Sequence, residues 1–327
     1  MPEGFDESKK PRQESSAAES ERGFDYYIER GKNEALLVVR ERFEDDPDER
    51  NRLPFHNRRH TSDVIRRTRA LLEAMRGGSV ITERDVKIGM LAGAFHDTVQ
   101  RWEESRAKWQ ENGKEVENHE KVMRRRFAGE NEEASAAEAT AFMDKAVEES
   151  GDPGLFSEDD KRVVAEAIGV TVPGFNPEKG TVVQPNLKEK SSLIALAVAL
   201  ADLGTAGMDG PEKFAREGDA LFREENMDIL GVLLKPLNEI PEDQKEYYRK
   251  RMLGWSKFQM VFAAGRRALL EEELRGVPEG VRDSVKKLFS RFDETIESAK
   301  KIGEKRDGMT FEELLRDMGY AFPSSKR

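Results

Sequence analysis

Three of the chain's four histidines lie close together, and one of them is followed directly by a carboxylate. They are His56, His60 and His96, the last of which precedes Asp97. Neutral imidazole and carboxylate groups are ligands for divalent cations such as Zn, Fe, Mn and Mg. The stretch therefore predicts part of a metal site. For each histidine taken alone, the alternative is a solvated or hydrogen-bonded side chain.

Two helices are expected to position these residues. Pro54 suits the first turn of a helix, which would place His56 and His60, four residues apart, on one face. An apolar stripe continues this helix to Met75. Thr82 is the expected N-cap of the next helix, whose apolar face leads to the His-Asp pair.

A further carboxylate follows the most apolar stretch of the chain. Residues Leu193 to Ala201 are apolar on every face, which predicts a buried helix, and Asp202 comes at its end. A buried carboxylate without a partner costs several kcal/mol. A cation would remove that cost. The alternative is a carboxylate that accepts from backbone N–H groups or from an arginine.

Taken in order, His60, His96-Asp97 and Asp202 resemble the H…HD…D ligands of the HD superfamily of metal-dependent phosphohydrolases. The sequence motif His56-Asn57-x-x-His60-x-x-Asp63-Val64 is similar to the HNxxHxxDV signature of the cyclic-nucleotide phosphodiesterases. Two further segments, 95–99 and 131–139, resemble a bacterial branch of predicted HD phosphohydrolases. The likeness is patchy and extends over roughly residues 55–265.

The resemblance implies a ligand set and a reaction. One or two divalent ions (Mn, Mg, Fe or Zn) would be the cofactor, and hydroxide on the metal would attack phosphorus. His56 would act as general acid and Asp63 would orient an imidazole. Glu132 would be a base or would orient water, although it also suits the acidic first turn of a helix. The implied metal ligands are His60, His96, Asp97 and Asp202.

The implied substrate is a small-molecule phosphate ester or phosphodiester, which a nucleotide would satisfy. Gln259 and Phe262 are similar in form to a Gln-x-x-Phe of the phosphodiesterases that bonds the base and stacks on it; the alternative for Gln259 is a structural amide. Arg101, Arg58 and Arg59 are candidate phosphate contacts, and charge alone does not choose among them.

Some residues depart from the family pattern. The phosphodiesterases have a further histidine at the position of Gln100, so a second metal would lack one ligand. The iron-dependent HD oxygenases use more histidines than this chain supplies, unless His119 is recruited; otherwise His119 is expected at the surface. A third reading is a catalytically silent HD module that senses a ligand, against which the intact His56 argues.

The pattern of apolar residues predicts an all-α protein, because no stretch alternates like a strand. We expect a single multi-helix HD-domain-like bundle over residues 23–302, a disordered tail at 1–22 and a helical extension at 303–327. Residues 98–130 would form a lid or substrate-facing insertion, or a solvated helical insertion, and residues 170–187 a loop.

Composition limits the partners. The net charge of −10 argues against binding to nucleic acid polymers or anionic membranes. The absence of cysteine excludes disulfides and thiolate metal sites, and fits a reducing compartment. With no signal peptide and no apolar run long enough to span a bilayer, we expect a soluble cytoplasmic protein.

Overall fold

The structure is a computed structural model that describes residues 23–77, 80–111 and 114–321, leaving out the side chains of residues 109–120. Within these residues the chain forms twelve α-helices and two short antiparallel hairpins. The predicted all-α class is confirmed in its main part, whereas the expectation that the chain has no strands is wrong. The tail expected at residues 1–22 lies outside the described residues, as do residues 322–327.

Six helices form the N-terminal two thirds of the fold and most of the larger hydrophobic core, to which residues of the later helices also contribute. A five-residue π-helical segment, Arg40–Glu44, continues the first of them. The helices are α1 (Phe24–Val39), α2 (Arg58–Arg76), α3 (Glu83–Phe95), α4 (Glu130–Ser150), α5 (Glu158–Gly169) and α6 (Leu193–Asp202).

Six more helices follow a π-helical turn at Thr205–Asp209. Part of this set builds a second, smaller core in which Phe311, Leu314 and Leu315 pack near Tyr248 and Met252. The helices are α7 (Pro211–Glu225), α8 (Met227–Val232), α9 (Glu242–Glu273), α10 (Glu279–Lys287), α11 (Phe292–Asp307) and α12 (Phe311–Asp317). No helix among the described residues has the length and apolar content to cross a bilayer.

The ends of the site helices follow from their capping residues. Thr82 caps α3 in a capping box with Asp85, as expected. The start of α2 differs from the prediction, because Asn57 is its N-cap and accepts hydrogen bonds from the backbone N–H groups of Arg59 and His60. His56 therefore precedes the helix, and the predicted first turn at Pro54 is wrong.

Helices α2, α3 and α6 pack closely around the predicted site. A side chain at Gly89 of α3 would collide with Leu72 of α2, so the missing Cβ lets the two helices approach. Arg67, fully buried in α2, donates to the carbonyl of Ala201 at 2.9 Å and to Asp209 at 2.7 Å. This bond ties α2 to the last turn of α6, where Asp202 lies.

Residues 98–130 contain a β-hairpin rather than a helix. Strands β1 (Trp102–Glu111) and β2 (Lys114–Arg126) pair antiparallel with Trp102 opposite Arg126. The alternative of a helical insertion is therefore wrong. Strand β2 lies against the region where α7 passes into α8, and the Val122 N–H donates to Asp228 at 3.4 Å.

The segment predicted as a loop at 170–187 also contains a hairpin. Its strands are β3 (Gly174–Asn176) and β4 (Thr181–Val183), which pair antiparallel. The expectation of a loop without strands is wrong here. Three-residue strands are too short to show an alternating pattern, which explains why the sequence did not reveal them.

Candidate metal centre

Four side chains from three separated helices meet at one point. His60 lies in the first turn of α2, His96 and Asp97 follow the end of α3, and Asp202 ends α6. One ligand atom of each lies within 4.8 Å of the others. The side chains are 1–16% exposed, Asp202 the most. The structure thus brings together all four residues that were predicted to bind metal.

The orientation of His96 is fixed by a backbone group. Its Nδ1 donates to the Gly93 carbonyl at 2.9 Å, because a carbonyl can only accept. In the neutral imidazole the Nε2 therefore presents its lone pair to the cluster. A ring that donates from one nitrogen to a carbonyl while the other faces an ion is a common arrangement in metal sites.

The spacing of the ligand atoms fits a divalent cation. His96 Nε2 lies 3.0 Å from Asp97 Oδ2 and 3.3 Å from His60 Nε2. His60 Nε2 is 3.3 Å from both Asp97 Oδ2 and Asp202 Oδ1. Ligands about 2.0–2.2 Å from one ion are roughly 3–3.5 Å from each other. Imidazole and carboxylate donors without thiolate leave Zn, Fe and Mn all suitable, and Mg in an oxygen-rich site.

The electrostatics of the cluster favour a positive charge. Burial alone would lower the pKa of His96, but Asp97 and Asp202 outweigh it and raise the pKa to about 10. The pKa of His60 is raised against the same effect of burial. Conversely, burial would raise the pKa values of Asp97 and Asp202, but the imidazoles hold both well below the ordinary value. A cation bound at this point would be stabilised by the same two carboxylates.

Two glutamines hold the carboxylates in place. Gln100 donates to Asp97 Oδ1 at 2.6 Å, and Gln184, which follows β4, donates to Asp202 Oδ2 at 3.2 Å. Each carboxylate thus uses one oxygen for an amide and turns the other toward the imidazoles. Second-layer bonds of this kind fix the orientation of metal ligands.

His56 belongs to a separate buried pair beside the cluster. Its Nδ1 bonds to Glu224 of α7, which also accepts from the backbone N–H groups of Phe55 at 2.9 Å and of His56 at 3.1 Å. Burial would raise the pKa of Glu224, but the charge and hydrogen bond of His56, with Arg124 and the backbone, lower it to about 2. Glu224 therefore stays ionised and orients the imidazole.

Arg126, at the end of β2, reaches the same place. Its Nη1 donates to His56 Nε2 at 2.9 Å. Its Nη2 lies 3.7 Å from Asp97 Oδ1 and 3.7 Å from Glu132 Oε1. Because a guanidinium only donates, His56 Nε2 is an acceptor here and the ring proton is on Nδ1, facing Glu224.

Two roles were predicted for Glu132: a base or water-orienting group, and an acidic residue of the first turn of a helix. It lies at the start of α4. It is buried, and its Oε2 accepts from the Gly129 N–H at 2.5 Å, so it does cap the helix. Its Oε1 faces Arg126 beside the cluster. A role as base or in orienting water stays a prediction.

The segment around Glu132 also fixes the chain that follows Asp97. Asn131 accepts from the Arg101 N–H at 2.9 Å and donates to the Arg101 carbonyl at 3.0 Å. Ser135 accepts from the Val99 N–H at 3.1 Å. Side chains of the Asn-Glu-x-x-Ser motif thus hold the backbone that lies between the His-Asp pair and the hairpin.

Asp63 does not orient an imidazole, so that prediction is wrong. Its carboxylate pairs with Lys213 and, at 3.3 Å, with Arg66. The Nδ1 of His60, the imidazole on the same helix, is buried without a partner among the described residues. One helical turn separates Asp63 from His60 along the chain, but two cations draw the carboxylate outward.

Gln259 and Phe262 lie in packing between helices. Gln259 lines a small cavity between α7, α9 and α11 and touches Gly218, and Phe262 stacks on Phe214 with centroids 5.9 Å apart. Within the described residues, no hydrogen bond or ring contact joins either residue to the four ligands. This placement fits the structural alternative, and contact with a substrate base stays a prediction.

The three arginines named from the sequence are exposed, and their contact with phosphate stays a prediction. The Arg101 side chain is exposed, and Arg58 pairs with Glu44 at 3.0 Å on the surface. Arg58 and Arg59 line an open groove beside α1. The side chain of His119 lies outside those that the structure describes, so its expected surface position is untested.

Sequence reasoning missed Glu224 and Arg126, which contact His56 directly. Glu224 follows His56 by 168 positions and has no motif around it. A signal for Arg126 was present in the run Arg124-Arg125-Arg126, but a helical reading of this segment gives no reason to choose one of the three.

No family model, curated protein or solved structure matches this chain. The likeness to HD proteins therefore rests on the motif text and on the site itself. A mostly helical fold with a buried His-His-Asp-Asp cluster that could bind metal is compatible with an HD domain.

Proposed function

We propose that this chain is a metal-dependent phosphohydrolase that cleaves a phosphate ester or phosphodiester of a small molecule. The observation that carries the proposal is the convergence of His60, His96, Asp97 and Asp202, in the H…HD…D order, with His56 next to them. A divalent cation bound there would act as a Lewis acid and lower the pKa of a coordinated water.

Other residues of the chain transfer a proton to the leaving group and keep the metal ligands in orientation. His56 has its Nδ1 held by the Glu224 carboxylate, so Nε2 is the nitrogen that can exchange a proton with a leaving oxygen. The bond to Glu224 fixes the orientation of that ring. Gln100 and Gln184 keep the two metal-binding carboxylates in orientation.

The experiment that tests the proposal is a substrate panel on protein stripped with a chelator and reloaded with Mn, Mg, Fe or Zn. The panel contains phosphate monoesters, cyclic nucleotides and nucleoside triphosphates, and released phosphate or nucleotide product is measured. We expect turnover with at least one metal and none in the stripped protein. Metal uptake without turnover of any member would favour a silent ligand-sensing module, and oxygen consumption with iron would favour an oxygenase.

Variants separate binding of the metal from chemistry. His96→Ala and Asp97→Ala should abolish metal binding, measured by elemental analysis after dialysis. His56→Ala should keep the metal and lose about 10²- to 10⁴-fold in turnover, the usual contribution of a general acid. If His56→Ala leaves turnover of a substrate with a poor leaving group untouched, the acid role is wrong. Arg69→Ala, at an exposed position of α2, is the control.

A further inference from the structure

The guanidinium of Arg126 reaches the candidate site with most of its donors unused. Among the residues that the structure describes, one of its five N–H groups makes a hydrogen bond, from Nη1 to His56. The 3.7 Å separations from Asp97 and Glu132 are too long for hydrogen bonds. Its Nε is buried without a partner in the described part of the chain. These N–H groups could donate to an anion that has several acceptor oxygens.

Arg124 provides a second cation from the same face of β2, since alternate residues of a strand share a face. It is buried, and its guanidinium lies 4.4 Å from the Trp102 ring. Its Nη2 donates to the Arg50 carbonyl, whereas Nε and Nη1 have no partner among the described residues. Burial lowers its pKa, and the charges of Glu224 and Glu225 oppose that effect. A buried cation with unbonded donors favours an anion nearby.

The residue between them behaves differently. Arg125 points to the other face of β2, is 68% exposed and pairs with Glu103 across the hairpin at 3.3 Å. The three consecutive arginines are therefore not equivalent. Arg124 is buried and Arg126 is half-buried, and both have incompletely bonded guanidinium groups, whereas Arg125 is an ordinary surface residue.

We propose that Arg126 binds the phosphate group of the substrate, with Arg124 as a positioning residue that adds positive charge behind it. This inference rests on the proposed function. A phosphate group offers several acceptor oxygens, and the planar fork of a guanidinium matches two of them at once. The position of Arg126, next to Asp97 and His56, places such a group beside the metal ligands and the proposed acid.

Binding of the phosphate also frees His56. Without substrate, Arg126 donates to His56 Nε2, the nitrogen that must carry a proton if His56 is to act as general acid. When a phosphate oxygen becomes the acceptor for Arg126, that nitrogen is released. Arg126 thus links occupation of the phosphate site to the release of His56 Nε2.

The test compares Arg126→Gln, Arg124→Gln and the control Arg125→Gln. Calorimetry measures the binding of inorganic phosphate to the Mn-loaded protein, and steady-state kinetics use a substrate found in the panel. Hydrogen bonds to charged groups contribute about 1.5–3 kcal/mol, so Arg126→Gln should weaken phosphate binding by roughly 10- to 150-fold. It should raise KM by a similar factor. We expect a smaller loss for Arg124→Gln and a change within twofold for Arg125→Gln.

Metal content and circular dichroism distinguish a local effect from misfolding. Should Arg126→Gln unfold, Arg126→Lys keeps the charge without the fork, and we expect it to bind phosphate more weakly than the wild type. The inference is overturned if wild-type protein does not bind phosphate. It is also overturned if the Arg126 variants bind it unchanged, or if Arg125→Gln loses as much as Arg126→Gln.

The two proposals fail in different ways. Wild-type protein that hydrolyses no ester but binds phosphate through Arg126 would end the proposed function and keep the arginine site. Hydrolysis with unchanged KM and phosphate affinity in Arg126→Gln would end the arginine site and keep the proposed function.

Discussion

The amide of Gln100 donates a hydrogen bond of 2.6 Å to Asp97 Oδ1, the oxygen that faces away from the imidazoles. The guanidinium of Arg126 lies 3.7 Å from the same oxygen. A carboxylate that bridges two metal ions commonly offers one oxygen to each. Here one oxygen faces an amide donor and a fixed positive charge, which would repel a second ion.

We therefore predict one divalent ion per chain. Protein reloaded with Mn or Zn and then dialysed should contain one equivalent of metal by elemental analysis. Asp202→Asn, which removes the charge of one ligand, should contain less. Two equivalents bound in the wild type would contradict the prediction and would mean that Arg126 moves away when metal binds.

The buried ion pair of Arg67 predicts a large effect on stability. Arg67 is fully buried and bonds to Asp209 at 2.7 Å, and removal of one partner of such a pair typically costs about 3–5 kcal/mol. Arg67→Ala should lower the free energy of unfolding by that order, measured by urea denaturation. It should also weaken metal binding, because the anchor of the Ala201 carbonyl beside Asp202 is lost.

Arg66→Ala is the matched control for this variant. Arg66 is the preceding residue, contacts the same Asp209 and is 52% exposed. Exposed ion pairs contribute about 0–1 kcal/mol, so its loss should be small. Equal losses in the two variants would show that burial of Arg67 is not the cause.

From the lowered pKa of Glu224 we predict that the protein loses stability in acid. Its folded-state pKa is about 2, below the ordinary value of 4.5. A carboxyl whose pKa is lowered by folding stabilises the protein above the unfolded pKa, and this stabilisation is lost as the pH falls from about 4.5 to about 2. In Glu224→Gln the free energy of unfolding should fall less steeply over this range. Identical slopes for variant and wild type would contradict the assignment.

For Glu225, the next residue, we predict a dependence of stability on pH that is opposite in sign to that of Glu224. Burial and the charge of Glu224 raise its pKa from 4.5 to about 7. The folded state then binds a proton more tightly than the unfolded state, so Glu225 makes stability decline as the pH rises from about 4.5 to about 7. Glu225→Gln should remove this decline and be more stable than the wild type at pH 8. An equal decline in Glu225→Gln and in the wild type would contradict the assignment.

The metal ligands could be predicted from sequence because their signals are local. His60, His96 and Asp97 belong to short motifs, and Asp202 ends a helix whose apolar residues mark it as buried. The N-cap Thr82 could likewise be predicted, since a cap depends on residues within one turn.

The first residue of α2 and the partners of Asp63 could not be predicted in this way. The helix could begin at Pro54 or after Asn57. The hydrogen bonds that Asn57 accepts make it the N-cap, so the helix begins after it. Asp63 has the spacing of the motif, but Lys213 and Arg66 attract it more strongly than an imidazole does. Such competition depends on partners that the local pattern does not contain.

The sequence by itself determined the helical class and the four residues that could hold a metal, because helix periodicity and ligand chemistry are properties of residue types and their spacing. Only the tertiary structure decided what surrounds them. The Glu224 that orients His56, the Arg126 that contacts it and the hairpin that delivers Arg126 come from distant parts of the chain. Their contacts depend on how α7 and β2 meet the segment that precedes α2, and that packing is set by all the helices together.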